Sequence, residues 1–338
     1  MQLIVNKVEK IETMPGVSCW RKSIPIEKVG LYIPGGSAPL FSTVLMLGIP
    51  AQIAGCKEVI LCTPPGKEEE INPAILYTAA ICGIKKIYRV GGAQAIAAMA
   101  MGTEIIPKVD KIFGPGNQFV MLAKQLVSLS GIAIDMPAGP SEVLIIADDS
   151  ANPEFIAADL LSQAEHGPDS QVILVSTSKK LIESANKELV TQLKTLPRKV
   201  ITAKALANSR AILLKSLDDA ISFSNLYAPE HLILSCSNAE RIAEEVINAG
   251  SVFIGNYSPE SAGDYASGTN HTLPTNGYAR AYSGVSADSF VKKVTFQKIT
   301  PDGLLNLGPS IKIMAEAEQL EGHKNAVTIR MNEIKRKK

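Results

Sequence analysis

The four histidines of this 338-residue chain each have a carboxylate, amide or hydroxyl side chain close by in the sequence. All of them stand in polar or turn-like stretches rather than inside apolar runs. Because an imidazole titrates near neutral pH and ligates metals, such neighbours suggest acid–base or metal chemistry. A single histidine of this kind is more often a surface or satisfied core residue, so the inference rests on the group. The group consists of His166, His231, His271 and His323.

Gln163 and His166 lie at the end of a predicted helix over residues 153–165. Residues three apart share a helix face, so these two could offer an oxygen and a nitrogen to one metal ion. Zinc accepts both kinds of ligand, and a site without cysteine leaves room for substrate ligands. The spacing is equally compatible with a histidine that interacts with the negative end of the helix dipole. With a carboxylate from the polar loop 261–271 and a histidine from the tail, the hypothetical zinc ligands are Gln163, His166, Asp264 and His323.

Glu230 and His231 are adjacent in the sequence and immediately precede a predicted strand over residues 232–234. A carboxylate beside an imidazole at the entrance of a strand could form an acid–base pair. A polar loop that simply leads into a strand has the same sequence pattern, and adjacent Glu-His pairs are common. The pair therefore gains weight only in combination with the other histidines.

Three glycine-rich turns, at residues 33–37, 90–94 and 113–117, stand at the starts of predicted helices. The second and third turns directly follow predicted strands. Glycine lets the backbone approach a ligand, and the free N–H groups at a helix N-terminus favour phosphate. None of the turns matches the G-x-G-x-x-G fingerprint, because Phe119 occupies the third glycine position of the last turn. Each turn alone is explained by tight strand–helix geometry, whereas three in one domain favour a bound ligand.

These candidate residues are distributed over a repeated alternation of short β-branched runs and longer helical stretches. The alternation predicts an α/β fold, and its repetition on both sides of the turn-forming stretch 137–140 predicts two Rossmann-like parallel-sheet domains. The small C-terminal tail that remains has a basic, β-prone stretch over 291–299 and a predicted helix over 309–319. The predicted division is residues 1–31 with 142–285, residues 32–141, and a tail over 286–338 that packs on these domains or on a partner subunit.

Composition and charge argue against several classes of protein. The net charge is +1, with no stripe of one sign before the terminal residues 335–338, so we expect no nucleic-acid partner. The five cysteines are odd in number and lack C-x-x-C spacing, which argues against disulfides and a cysteine zinc site. No apolar run is long enough to span a bilayer, and residues 1–10 lack the apolar centre of a signal peptide. We therefore expect no membrane association and a cytoplasmic location.

Many motifs of the chain resemble those of the histidinol dehydrogenase family in their order and spacing. The resemblance runs from about Val29 to His323, which is most of the chain. The matching motifs are the VGLYIPGG run that begins at Val29, the turns at Gly91 and Gly114, the PAGPSE run that begins at Pro137, residues 163–170, the APEH run that ends at His231, and the loop 263–271.

The resemblance implies a zinc-dependent enzyme that oxidises L-histidinol to L-histidinal and then to L-histidine, with two NAD consumed. It also implies that Glu230 and His231 are the acid–base residues and that the C-terminal tail of a homodimer crosses to complete the partner's site. The implied zinc ligands are Gln163, His166, Asp264 and His323. The implied substrate contacts are all six of these residues together with Ser141, His271 and Glu318. The implied NAD contacts are Tyr32, Gln94 and Asn117.

One departure and three alternatives stand beside this assignment. The family normally has a substantial helical stretch before the region that matches Val29, where this chain has 28 residues. A catalytically silent, shortened homologue is therefore one alternative. A second is a zinc and NAD dehydrogenase of the same fold that acts on another small alcohol, against which Ser141, His271 and Glu318 argue. A third is a simple metabolite-binding protein, which would not need the Glu230-His231 pair.

Overall fold

The computed structural model describes residues 9–35, 39–66 and 69–337. In chain order, the strands are β1 (Ile11–Met14), β2 (Val17–Pro25), β3 (Lys28–Tyr32), β4 (Glu58–Thr63), β5 (Lys86–Arg89), β6 (Lys111–Phe113), β7 (Ala133–Ile134), β8 (Glu142–Ala147), β9 (Gln171–Ser176), β10 (Arg210–Leu213), β11 (His231–Ser235), β12 (Ser251–Ile254) and β13 (Val291–Ile299). The helices are α1 (Phe41–Ala54), α2 (Pro73–Ile81), α3 (Gly92–Met101), α4 (Gln118–Ser128), α5 (Pro153–Ala164), α6 (Lys179–Leu193), α7 (Lys199–Ala207), α8 (Leu217–Tyr227), α9 (Ala239–Ala243), α10 (Glu260–Tyr265), α11 (Pro301–Ala317) and α12 (Glu321–Arg336). Within the described ranges, no helix has both the length and the hydropathy that a membrane crossing requires.

The chain divides into two units, one over residues 26–290 and the other combining residues 1–25 with 291–338. The larger unit holds two parallel five-stranded sheets, with the orders β5-β4-β3-β6-β7 and β10-β9-β8-β11-β12. Counted from its own first strand, each order is 3-2-1-4-5, which is the Rossmann type with a reversal between the first and fourth strands. The predicted fold class, two Rossmann-like α/β domains with a C-terminal tail, is confirmed.

The central strands of the second sheet are apolar along their length because helices cover both faces. β8 reads EVLIIA and β11 reads HLILS, and every residue of both strands is buried. Parallel sheets enclosed by helices favour such continuous burial, whereas a half-exposed strand alternates. The polar residues that begin these strands, Glu142 and His231, are therefore carried into the interior.

Helix α5 determines where Gln163 and His166 lie. Asn152 caps its first turn by accepting a hydrogen bond from the Glu154 amide, and Pro153 occupies the first helical position. A crossover helix runs back along a parallel sheet, so α5 starts beyond the carboxyl end of β8 and finishes at the amino edge. Gln163 is fully buried there, and His166 follows just beyond the last turn as an exposed residue.

The smaller unit contains a three-stranded antiparallel sheet and two helices. β2 pairs with β1 and with β13, which confirms the predicted β structure over 291–299. The predicted helix start at Pro309 is wrong, because α11 begins at Pro301 and continues through Pro309. Thr300 accepts a hydrogen bond from the Gly303 amide and so caps the helix eight residues earlier. Pro309 cannot donate an intrahelical hydrogen bond, and the helix nevertheless continues through it to Ala317.

Strand pairing at the start of the chain differs from the predicted grouping of residues 1–31 with 142–285. β3 is hydrogen-bonded between β4 and β6, at the centre of the first sheet. β1 and β2 pair instead within the unit that holds β13. These three strands are not predicted from the sequence. β1 and β2 carry several exposed polar residues, and β3 contains Gly30, a residue with low β propensity.

Candidate active site

A cleft with a volume of about 270 Å³ opens between the carboxyl edge of the first sheet and the amino edge of the second. The first sheet contributes Pro34, which follows β3, and Asn117, which follows β6. These loops flank its topological switch point, where open α/β sheets commonly bind ligands. The second sheet contributes the opposite edge, since Ser141 precedes β8 and His231 begins β11. The cleft therefore has one wall of strand carboxyl ends and one wall of strand amino ends.

Glu230 and His231 are both buried in this cleft, and Oε2 of Glu230 lies 3.6 Å from Nδ1 of His231. The Oε2 atom of Glu230 accepts hydrogen bonds from the Glu142 amide at 2.8 Å and from Nε2 of Gln163 at 3.3 Å. The Nδ1 atom of His231 lies 3.2 Å from the Glu142 carbonyl oxygen. Because a carbonyl oxygen only accepts, Nδ1 carries the proton in this contact. In the neutral ring, Nε2 is then the proton acceptor, and it has no hydrogen-bond partner among the described residues.

The pKa of His231 is set by two opposing effects. Burial lowers it, because a charged imidazolium loses its hydration, whereas the carboxylates of Glu230, Glu260 and Asp264 raise it. The carboxylates prevail and raise the pKa of His231 to about 10. A divalent cation held at Asp264 would oppose these carboxylates and favour the neutral ring.

His166, Glu260 and Asp264 form a cluster of potential metal ligands. One donor atom of each lies within 4.8 Å of the donor atoms of the other two. Nearby, Oε1 of Gln163 is buried and has no hydrogen-bond partner among the described residues. A buried amide oxygen left in this state is costly unless a ligand satisfies it. These nitrogen and oxygen donors fit zinc, and three of the four predicted ligands lie around the Glu230-His231 pair.

Glu260 belongs to this cluster but is not among the residues predicted from the sequence. It is 1% exposed, and its Oε2 atom has no hydrogen-bond partner among the described residues. Burial is the main reason that its pKa is raised to about 8. Its position four residues before Asp264 could have indicated it as a further ligand, because residues four apart share a helix face and both lie in α10.

Glu142 is a second buried carboxylate that the predicted set lacks. Its backbone contacts both Glu230 and His231, and its Oε1 atom accepts a hydrogen bond from the Asn276 amide at 2.9 Å. Burial is the main cause that raises the pKa of Glu142 to about 7. The signals for it in the sequence were its adjacency to the predicted Ser141 and its place at the end of the PAGPSE run.

The imidazole of His271 is held from both sides in the cleft. Its Nδ1 atom lies 3.0 Å from the Asp264 carbonyl oxygen and its Nε2 atom lies 3.3 Å from Oγ1 of Thr43. The carbonyl requires a proton on Nδ1, so Nε2 accepts from the threonine hydroxyl. Burial is the main cause that lowers the pKa of His271, which favours this neutral form.

Residues 2–331 match the protein family described as histidinol dehydrogenase. The chain belongs to the histidinol dehydrogenase family. A histidinol dehydrogenase from Bacteroides thetaiotaomicron is 64% identical over 327 residues, which cover 97% of this chain and 76% of that protein. The crystal structure of histidinol dehydrogenase from Elizabethkingia anophelis has a TM-score of 0.96 to this chain at 63% identity, and the match covers 98% of this chain and 76% of that chain. The predicted family is confirmed, and the chain is an enzyme of the dehydrogenase type.

A more distant likeness concerns the fold alone. An acetylating aldehyde dehydrogenase from Geobacillus thermoglucosidasius matches 86% of this chain and 79% of its own, with a TM-score of 0.56 at 13% identity. The two-sheet architecture is thus shared beyond the histidinol dehydrogenase family.

The three NAD contacts implied by the histidinol dehydrogenase resemblance lie at the ends of strands of the first sheet or in the segments that follow them. Asn117 lines the cleft, and its side chain caps α4 by accepting from the amides of Phe119 and Val120. Tyr32 is buried, and its hydroxyl accepts a hydrogen bond from the Gly92 amide at 3.0 Å. Gln94 is exposed in the first turn of α3. Of these three, only Asn117 lines the cleft.

The glycines of the three turns are required by close packing at the edge of the first sheet. A Cβ atom on Gly35 or Gly91 would lie 2.3 Å or 2.5 Å from Pro64. A Cβ atom on Gly114 would lie 2.0 Å from the Tyr32 carbonyl oxygen, at a backbone φ of +128°. Packing against Pro64 and Tyr32 therefore explains these glycines without a ligand. Two further members of the first turn, at positions 36 and 37, lie outside the described residues.

Glu318 and His323 belong to the smaller unit and not to the unit that contains the cleft. Glu318 caps the end of α11, and His323 lies in the first turn of α12. Both are exposed.

Seven of the predicted residues line the cleft, and Gln163 is hydrogen-bonded to one of them, Glu230. The seven are Ser141, His166, Glu230, His231, Asp264, His271 and Asn117.

Proposed function

We propose that this chain oxidises L-histidinol to L-histidine through L-histidinal, with NAD as oxidant and zinc at the substrate site. The observation that carries the proposal is the position of the Glu230-His231 pair beside the donors of Gln163, His166 and Asp264. Membership of the histidinol dehydrogenase family supports the choice of substrate. A simple binding protein has no need for a buried acid–base pair in its cleft.

The zinc ligands in this proposal are Gln163, His166 and Asp264, with His323 as the fourth. Zinc, when bound, would supply a Lewis acid that holds the amino and imidazole nitrogens of the substrate. NAD, when bound along the loops after β3 and β6, would accept hydride from the carbinol carbon. Tyr32, Gln94 and Asn117 are the proposed NAD contacts.

His231 acts in the first oxidation. Its Nε2 atom takes the hydroxyl proton of the substrate while the carbon–hydrogen bond gives up hydride, so that the alcohol becomes the aldehyde. The proton on Nδ1 stays bonded to the Glu142 carbonyl, which keeps the ring in the productive tautomer. A cation held at Asp264 would offset the surrounding carboxylates and so favour the neutral ring, in which Nε2 is the base.

Glu230 acts in the second oxidation. Its carboxylate takes a proton from the water that adds to the aldehyde carbon, and the hydrate then loses its remaining carbinol hydrogen as hydride to give the acid. The hydrogen bonds from Glu142 and Gln163 hold Oε2 of Glu230 in place for this step. Ser141, His271 and Glu318 complete the proposed substrate contacts.

The proposed assembly is a homodimer in the cytoplasm. By resemblance to the family, the tail over 286–338 crosses to the partner subunit and delivers Glu318 and His323 to its site. The exposure of both side chains in the smaller unit is compatible with such a role.

Formation of NADH from L-histidinol tests the proposal. Zinc-loaded protein should release about two NADH per L-histidinol, and a chelator should abolish the release until zinc is restored. His231→Asn should lower the rate about 10²- to 10⁴-fold, whereas the exposed Glu240→Gln should leave it unchanged. No turnover by folded, zinc-loaded protein, or equal turnover of an amino alcohol without an imidazole, would refute the assignment.

A further inference from the structure

A buried ion pair lies beside the cleft and outside the proposed catalytic set. The Nζ atom of Lys124 on α4 contacts Oδ1 of Asp135, and their side chains are only 4% and 1% exposed. No resemblance or sequence pattern assigned a role to either residue. Charges removed from water to this extent require a full set of partners.

The partners of this pair are the backbone groups of one glycine turn. Nζ of Lys124 donates to the Gly114 carbonyl at 2.8 Å, and Oδ2 of Asp135 accepts from the Gly114 amide at 2.7 Å. The second carboxylate oxygen accepts from the Met136 amide at 2.7 Å. Both polar backbone groups of Gly114 are thus bound by the pair.

The two segments joined by this pair each continue into a wall of the cleft. The loop 114–117 begins at Gly114 and brings Asn117 into the cleft, whereas the segment 135–141 begins at Asp135 and brings Ser141 into it from the second sheet. A small cavity of about 50 Å³ is lined by Gly114, Asp135, Ser141 and Glu230, which places Asp135 of the pair close to Glu230.

Stability alone is a weak reason for such a pair. Neutral residues of similar size often stabilise a protein as well as a buried ion pair does, because the desolvation of both charges offsets their attraction. A pair that also hydrogen-bonds to two loop segments fixes the distance between those segments, which a neutral replacement would not do.

We propose that Lys124 and Asp135 are positioning residues that hold the loop 114–117 and the segment 135–141 at a fixed separation. Their effect on catalysis rests on the proposed function, because it acts through Asn117 and Ser141. Loss of the pair leaves the fold intact but lets the two walls of the cleft move relative to each other.

Hydrogen exchange of the double variant Lys124→Met/Asp135→Asn tests the inference without any assay of turnover. The double change leaves no unpaired charge, and the asparagine oxygen can still accept one backbone bond, so the variant should fold. Exchange in both segments should become at least about tenfold faster while the strands of the second sheet keep their protection. The control Leu181→Ala removes buried side-chain contacts of α6. It should accelerate hydrogen exchange generally, and not specifically in the segments 114–117 and 135–141. Protection of both segments equal to that of the parent, or the same general acceleration as in the control, would overturn the proposal.

Steady-state kinetics of the same proteins test the catalytic consequence. The double variant should have a KM for NAD raised about tenfold and a lower kcat at unchanged zinc content, whereas the control should keep both constants. A parent that turns over beside a double variant with identical constants would overturn the positioning role. A parent that does not turn over would refute the proposed function instead, and the exchange experiment would still decide whether the pair holds the two segments.

Discussion

At the scale of single residues, the site is a group of buried carboxylates around one histidine. Glu142, Glu230, Glu260 and Asp264 are each at most 8% exposed, and they surround His231, which is 4% exposed. So many acids in one interior are unfavourable unless protons or cations neutralise them. The raised pKa values of His231, Glu142 and Glu260 mean that these groups retain protons, which neutralise part of the negative charge. A bound divalent cation would neutralise the same charge, so cation binding and protonation compete.

Replacement of Glu230 should separate the two oxidations. In Glu230→Gln, the aldehyde loses the base that activates water, whereas His231 keeps its hydrogen bond to the Glu142 carbonyl. We expect oxidation of added L-histidinal to slow about 10²- to 10⁴-fold, with the NADH yield falling toward about one per L-histidinol. Rapid-mixing absorbance of NADH measures both values. An equal loss in the two oxidations would contradict the division of roles.

Replacement of Gln163 should weaken zinc binding. Gln163→Leu keeps the side-chain volume but removes the unpartnered amide oxygen, so we expect affinity to fall at least about tenfold. Competition with a zinc-binding dye measures the affinity directly. Gln52→Leu, an exposed position on α1, serves as the control. Unchanged affinity in Gln163→Leu would remove this residue from the metal site.

The half-buried Asp159 on α5 should make stability depend on pH. Burial raises its pKa from 3.8 to about 7, so the folded protein binds a proton more tightly than the unfolded chain does. The contribution of this group to stability is therefore greatest at low pH and is lost as pH rises through about 7. Asp159→Asn should raise the thermal midpoint at pH 8 more than at pH 5, in contrast to the exposed Asp149→Asn. Equal shifts at both pH values would be inconsistent with this reasoning.

At the scale of elements, the site depends on the direction in which strands and helices meet the cleft. The loops after β3 and β6 leave the carboxyl edge of the first sheet, while β8 and β11 enter the second sheet with their first residues in the cleft. The return of α5 brings Gln163 and His166 to this same amino edge. The tight packing of the glycine turns holds the opposite wall.

Substitution of Gly114 should show how much of the turn geometry is obligatory. In Gly114→Ala, the new Cβ atom clashes with the Tyr32 carbonyl at a positive φ. We expect the free energy of unfolding to fall by about 3 kcal/mol or more. Gly131 also has a positive φ but faces open space, so Gly131→Ala should cost only about 1 kcal/mol. Denaturant unfolding of both variants measures the difference. Equal costs would mean that backbone conformation alone, and not the contact with Tyr32, requires glycine at position 114.

At the scale of the whole molecule, the chain has one unit that contains the cleft and a second that carries the tail. The chain matches 76% of the length of the Bacteroides thetaiotaomicron relative. Glu318 and His323, which the resemblance assigns to the site, belong to the second unit. The proposed dimer makes each tail part of the partner's site, and this arrangement can be tested by complementation.

Mixing two inactive variants should restore activity if the tails cross. His323→Ala and His231→Asn should each have very little activity as homodimers. Random exchange makes about half of the dimers mixed, and one of two sites in each is intact, so about a quarter of the parental activity should return. NADH formation after unfolding and refolding the mixture measures this. If each tail serves its own subunit, every site retains one defect and no activity returns.

The sequence by itself determined most of the local elements, though not β1 to β3, and it indicated the histidines of the cleft while missing Glu142 and Glu260. Strands and helices place apolar residues at characteristic short spacings, so their alternation could be predicted without a structure. The spacing of Gln163 from His166 and the adjacency of Glu230 to His231 are local in the same sense. Order and spacing of the motifs along the chain were sufficient to predict the family.

Only the tertiary structure decided which edges of the two sheets face each other and which distant residues meet. Strand β3 joins the first sheet through β4 and β6, and no local spacing specifies that order. The Lys124–Asp135 pair and the place of Glu260 beside His166 depend in the same way on packing between segments far apart in the chain. The raised pKa values arise from burial and from neighbouring charges, which depend on how the folded chain excludes water.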